Sequence, residues 1–282
     1  MRIGEVWRYP AKSMGGERLE RATVAAGGII GDRTWAVRDE VRGGIRGAKK
    51  IGGLMNLAAR YVTDPVEGEQ TPAIEITLPN GKTVTSDDPD VNSRITAALD
   101  HKVTLWPLQP DPDHYRRGAP DSDDLLTELR DMFGREGDEP LPDFSQFPPE
   151  VIEYESPPGT YFDAYPLLVI TDQSLASLER MTPGSRADVR RFRPNLVVAE
   201  CETESRFPEQ DWVGRTLVAG TAEFDVVARC PRCVMITRGF EDLPEDRELL
   251  RTVVREADQN IGVYAIVKTP GEVVVGGAVT LA

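Results

Sequence analysis

The sequence predicts an α+β protein that is mostly β, a barrel with added helices rather than a doubly wound sheet. Three observations predict it. Strand-like segments dominate, and helical segments are not regularly interleaved with them. Where the strand signal is clearest, Ile74, Ile76 and Leu78 alternate with polar neighbours, as a half-buried strand requires.

The chain divides into three regions. Residues 1–108 carry the strand-like segments IGEVWRY, TWAVRD, AIEITLP and KVTLW. Asn80-Gly81 between AIEITL and KTVTS signals a hairpin, because a tight turn of that type needs positive φ. A helix is expected near Asp90–Leu99, with Val91, Ile95 and Leu99 on one face. Residues 109–156 are rich in Asp, Glu and Pro and read as a solvated connection or lid. Within them DDLLTELRDMFG spaces Leu125, Leu129, Met132 and Phe133 as a helix that stops at Gly134. Residues 157–282 mix both kinds of element. PLLVIT, RPNLVVAE and EFDVVARC are strands, and DQSLASLERM and RELLRTVVREA are amphipathic helices. NIGVYAIVK and EVVVGGAVTL are expected to pair across Thr269-Pro270-Gly271.

Composition narrows the function. With 282 residues, 40% hydrophobic and 28% charged, the chain can form one large domain or two modest ones. No run approaches the ~20 apolar residues of a membrane span. The start, MRIGEVWRYPAKS, lacks the apolar run of a secretion signal. The expectation is a cytoplasmic protein with no membrane partner. A net charge of -14 argues against nucleic acid, which needs a positive surface. It leaves room for an anionic ligand held by local Arg and Lys. Three cysteines, Cys201, Cys230 and Cys233, make no disulfide framework.

The most informative segment is Arg229-Cys230-Pro231-Arg232-Cys233, followed by Val-Met-Ile-Thr237. Three readings compete. A Cys-x-x-Cys redox pair usually opens a helix, whereas VMIT reads as strand. A structural zinc needs about four N or S ligands, and only Cys201, His101 and His114 remain to complete the set. A single thiolate on a soft metal is the third, and Arg229 and Arg232 flank the pair, where cations favour thiolate. Spacing alone leaves the three open, beside a merely structural pair of cysteines. Lys12-Ser13, Arg33 and Arg193-Pro194-Asn195 occupy turns or strand ends that suit an anion, and Thr171 and Ser174 open a helix whose N–H groups favour phosphate. Each has a plainer reading, a helix cap for Thr171 and surface ion pairs for the arginines.

Together, YPAKS, GDRTW, YPLLVITDQSL, FRPNLVV, CPRCVMIT, IGVY and VVVGGAV resemble, in order, the MOSC superfamily in its two-part form. The resemblance implies a MOSC-type β-barrel over 157–282, an N-terminal β-barrel domain over 1–108, and a molybdenum–pterin cofactor. It implies Cys233 as the metal ligand and catalytic residue. It implies Lys12, Ser13, Arg33, Thr171, Ser174, Arg193 and Asn195 as cofactor contacts, and leaves Cys230 outside the ligand set. The implied activity is oxidoreductase, the removal of oxygen from small N-hydroxylated compounds. A separate flavoprotein or iron–sulfur protein would supply the electrons, because no cluster-binding cysteines follow the barrel. The alternative is a carrier of the molybdenum cofactor or of sulfur. The superfamily also joins pyridoxal-phosphate-dependent domains in cofactor sulfurases, and no such domain is legible here.

Overall fold

Every second side chain of the strand Ala222–Pro231 is buried, the period-2 mark of a strand with one face on a core. The computed structural model describes residues 1–282, the side chain of Ile152 excepted. In it this strand sits within an eight-stranded sheet. The spatial order is Val279–Leu281, Thr216–Ala219, Ala222–Pro231, Asn260–Thr269, Leu167–Thr171, Leu196–Ala199, Arg2–Arg8, Glu17–Leu19. The sheet curls until its ends approach. Ile3 N–H donates to the Gly277 carbonyl at 2.9 Å, and Val279 N–H donates to the Met1 carbonyl at 3.0 Å. The other half of Arg2–Arg8 turns away and pairs with Glu17–Leu19. The result is a half-barrel that closes along one stretch of its first strand. Closure protects edges that would otherwise recruit other strands. Ile3, Leu167, Val169, Leu196, Phe224 and Val263 fill its interior.

The first strand therefore lies beside the C-terminal strands, antiparallel to Leu196–Ala199. Arg21–Ala25 likewise pairs with Gly271–Val274. Later strands build the N-terminal β-domain. Trp35–Asp39 pairs with Val103–Pro107, and Ala58–Tyr61, Ile74–Thr77 and Thr83–Thr85 form a meander. Gly81 turns the Ile74–Thr77 hairpin at φ +77, as the Asn-Gly pair predicts. The helix Val91–Leu99 buries Val91 and Ile95 against this core. Met235, Phe240 and Leu243 join the same core from the C-terminal part, so the chain just after Cys233 is wedged between the two halves. The mostly-β class, the added helices and the preceding β-barrel domain are as the sequence predicts.

Three local expectations are corrected. Gly271–Val274 does not fold back on Asn260–Thr269. Pro270 has no N–H to offer a hairpin ladder, and the open edge of Arg21–Ala25 takes the strand instead. Val234–Thr237 is a 3₁₀ turn, not a strand. Its apolar residues face two different cores, Met235 one and Ile236 the other. The helix Leu125–Phe133 forms and stops at Gly134, but it buries only Phe133, and Leu125 and Leu126 face solvent.

Gly271 marks a tight crossing against the backbone of Thr221 and Ala222. A Cβ there would lie 2.6 Å from the Thr221 carbonyl oxygen and 2.7 Å from the Ala222 nitrogen. The Gly271→Ala variant is expected to be destabilised by about 2 kcal/mol, lowering Tm by about 4–8 °C in a thermal melt.

Candidate functional site around Cys233

The long strand ends at Pro231, and Cys233 follows in extended backbone as the cap of the Val234–Thr237 turn. Its side chain is half-buried. Lys49, Arg135 and Arg232 lie within electrostatic reach of a thiolate at Cys233. Among the described residues no group of three or more His, Cys, Asp or Glu side chains converges on a point that could hold a metal. Any metal bound at Cys233 would have to take its remaining ligands from outside the described side chains. Of the two flanking arginines only Arg232 stays in the site. It donates to the Cys230 sulfur at 2.9 Å and to the Phe192 carbonyl at 2.6 Å. Arg229 instead reaches the exposed Asp258 at 3.6 Å. Cys230 is buried under that guanidinium of Arg232, which keeps it from acting as a second open ligand.

From Lys49 the charges continue to the predicted residues. Asp163 accepts from Lys12 Nζ at 2.5 Å and lies 3.3 Å from Lys49 Nζ. Lys12 also donates to the Ser156 hydroxyl and the Tyr161 carbonyl, both at 3.1 Å. Burial lowers the Lys12 ammonium pKa, with Asp163 opposing it. Burial would likewise raise the Asp163 carboxyl, but the two lysines outweigh it and hold it well below the usual carboxylate range. Ser13 has φ +67, and its hydroxyl accepts from the Ala48 N–H at 2.9 Å. That bond positions the turn bearing Lys49 and leaves Ser13 as a supporting residue.

A second cluster adjoins the first through the attraction between Arg33 and Asp163. Tyr9 lies between two guanidiniums, Arg193 at 4.2 Å and Arg33 at 5.0 Å from its ring centroid. Such contacts are worth about 0.5–2 kcal/mol each when desolvated. Arg33 is held at φ +51 and donates to Asp32, to Asn195 Oδ1 at 3.3 Å and to the Arg193 carbonyl at 3.3 Å. Asn195 is fully buried and also accepts from the Leu168 N–H at 3.1 Å, so it aims Arg33. Arg193 adopts φ +58 and donates through Nη1 to the Met14 carbonyl. Its Nη2 is buried without a partner. Burial, then repulsion from Arg33, lowers its pKa to about 10.

Thr171 and Ser174 are not in this cluster. Thr171 Oγ1 donates to Glu209 Oε2 at 2.6 Å, Ser174 Oγ donates to the same oxygen at 2.5 Å, and Gly262 N–H donates to Glu209 Oε1 at 3.0 Å. All three side chains are fully buried. The protein's own carboxyl thus fills the helix start where a phosphate was expected, and Thr171 serves as the N-cap. Sequence reasoning missed Tyr9, Lys49, Arg135 and Asp163. Only the last had a local signal, an acid beside the run PLLVIT.

Two family models match the chain, the MOSC N-terminal beta barrel domain over residues 1–110 and the MOSC domain over 157–280. Among curated proteins, mitochondrial amidoxime reducing component 2 of Bos taurus is 30% identical over 132 residues, 42% of this chain and 38% of that protein. The Homo sapiens protein of that name is 38% identical over 77 residues, 27% of this chain and 21% of its own length. The chain thus spans well under half of the curated relatives it matches. Solved structures similar to it include YUAD from Bacillus subtilis, at 10% identity, 99% of this chain, 94% of that chain and TM-score 0.44. YiiM from Geobacillus stearothermophilus matches 42% of this chain and 54% of its own at 17% identity and TM-score 0.32.

Burial raises the Glu209 pKa even though Ser174, Thr171 and Gly262 donate to it. A carboxyl whose folded pKa exceeds its unfolded value binds more protons when folded, so stability falls as pH rises through that window. As pH rises above the ordinary carboxyl range, the Glu209→Gln variant is expected to lose less stability than the parent in urea titrations. Parallel curves would refute the assignment.

Proposed function

Because the chain is a MOSC-domain protein with a MOSC N-terminal β-barrel domain, we propose that it is a molybdenum–pterin-dependent oxidoreductase reducing N-hydroxylated compounds, with the Cys233 thiolate as the protein's metal ligand. The observation that carries the proposal is the setting of Cys233, half-buried among Lys49, Arg135 and Arg232. The donor set fits such a group in two ways. A thiolate suits a soft metal, and the buried, unpartnered Nη2 of Arg193 can donate to an oxygen or nitrogen of a bound ligand.

In this reading the bound molybdenum supplies two-electron redox chemistry. The chain's own residues do the rest. Cys233 holds the metal. Lys12, Arg33 and Arg193 balance the anionic groups of the cofactor. Asn195 and Ser13 fix the geometry of Arg33 and of the Lys49 turn. Asp163, the partly exposed acid between two lysines, keeps those cations oriented. A small N-hydroxylated molecule is the proposed substrate, and a separate flavoprotein or iron–sulfur protein the proposed electron donor. Three free cysteines suit a reducing cytoplasm. Among the described residues no helix is long and apolar enough to cross a membrane.

Metal analysis of chain co-expressed with cofactor biosynthesis tests the ligand. About one molybdenum per chain is expected, falling at least tenfold in Cys233→Ser and persisting in Cys230→Ser. Reduced viologen with a panel of N-hydroxylated amidines and purines then tests the reaction. Loaded protein with no turnover above the Cys233→Ser control, yet able to hand its cofactor to an apo-enzyme, would make the chain a carrier.

A further inference from the structure

The two matched domains leave 111–156 between them unmatched. This acidic stretch is built into the molecule as a strap. At its start Tyr115 is buried against Tyr161, and at its end the Ser156 hydroxyl accepts from Lys12. Between these anchors it is clasped to both halves of the protein. Asp121 takes Arg46 at 2.8 Å and Lys50 at 3.0 Å, and Glu128 takes Lys50 at 2.5 Å. Beyond the helix, Glu139 pairs with Arg251, which also donates to the Gly134 carbonyl.

The strap crosses directly over the residue after Cys233. A Cβ on Gly134 would sit 3.8 Å from Val234 Cα and 2.8 Å from Leu250 Cδ2. Gly134, at φ +57, ends the helix and turns Arg135 inward. Arg135 is only 6% exposed. Its guanidinium donates to the Phe133 carbonyl at 2.5 Å, the Pro140 carbonyl at 3.1 Å, Gln259 Oε1 at 2.9 Å and the Arg232 carbonyl at 3.5 Å. Each of these acceptors is neutral. Among the described residues no carboxylate forms an ion pair with Arg135, and Glu139, the nearby acid, is already paired with Arg251. A buried cation without a counter-ion is costly unless an anion comes to it.

We propose that Arg135, delivered by this strap, is a binding residue of the Cys233 site, and that its uncompensated charge draws anionic ligand groups to the sulfur. The strap is then part of the site and not a solvated connection. Arg232 is the second such cation. It too has no carboxylate ion pair among the described residues, and it donates to a sulfur and a carbonyl. The inference concerns an anion beside a thiol, so it can be read without molybdenum and fails or survives independently of the redox proposal.

The test uses the 282-residue chain expressed without molybdenum and two alkylating reagents of similar size, anionic iodoacetate and neutral iodoacetamide. Labelling rates at Cys233 are read by peptide mass spectrometry. Their ratio cancels the thiolate fraction and reports local potential. In Arg135→Gln the iodoacetate-to-iodoacetamide ratio at Cys233 is expected to fall by about three- to tenfold, while Arg135→Lys keeps it. Cys201, which packs against the barrel interior, serves as the internal reference. An unchanged ratio in Arg135→Gln, an equal fall in Arg135→Lys, or a matching fall at Cys201 overturns the proposal. The parent chain gives a reading that needs no variant. At constant ionic strength inorganic sulfate is expected to slow iodoacetamide at Cys233 and not at Cys201, and an absence of protection there overturns the proposal as well.

Discussion

The pairing of Arg2–Arg8 with Leu196–Ala199 is the constraint on which the site depends. It takes the first residues of the chain out of the N-terminal β-domain and makes them part of the C-terminal sheet. The strand ends at Arg8, so the next residues, Tyr9, Lys12 and Ser13, emerge where Arg193 and Asn195 precede Leu196–Ala199. Tyr9 OH donates to the Pro194 carbonyl at 3.1 Å, which ties the two strand ends together. Ile3 and Val6 anchor this register by full burial in the barrel. A one-residue slip would turn them to the opposite face and rotate every site residue with them.

The same pairing explains how an acidic chain sustains a cationic site. The site's cations are not spread over a surface. Each is held by a carbonyl, a ring or a shared acid: Arg193 by the Met14 carbonyl and Tyr9, Lys12 and Lys49 by Asp163, Arg232 by Cys230 and Phe192. Local potential depends on charges within roughly a Debye length, about 8–10 Å at ordinary salt, and a distant excess of carboxylates is screened beyond it. Net charge therefore speaks to nonspecific partners and not to what this site attracts.

Much of the fold was legible because it rests on local periodicity. The helices at Val91–Leu99, Asp172–Met181 and Arg247–Glu256, and the Gly81 turn, are set by spacing and one glycine. What failed was partner choice. Gly271–Val274 reads as a strand from its own residues, but nothing in them says that Arg21–Ala25, about 250 positions away, offers the better edge. The helix start at Thr171 failed for a related reason. A helix N-terminus attracts an anion, and the sequence does not reveal that the Glu209 carboxyl folds back to fill that place. Lys49 was invisible because a Lys-Lys pair reads as surface, yet Lys49 and Lys50 point to different acids, Asp163 and Asp121.

That divergence links the site to the strap. Lys49 reaches the cluster beside Cys233, while its neighbour Lys50 grips Asp121 and Glu128. One turn, set by the Ser13 hydroxyl on the Ala48 N–H, thus serves both. The strap's helix buries a single side chain, Phe133, and the strap is clasped by ion pairs to Arg46, Lys50 and Arg251, cations that are themselves largely buried. The protein therefore covers its thiol with an element that charge holds in place, and any movement of that element moves Arg135 with it.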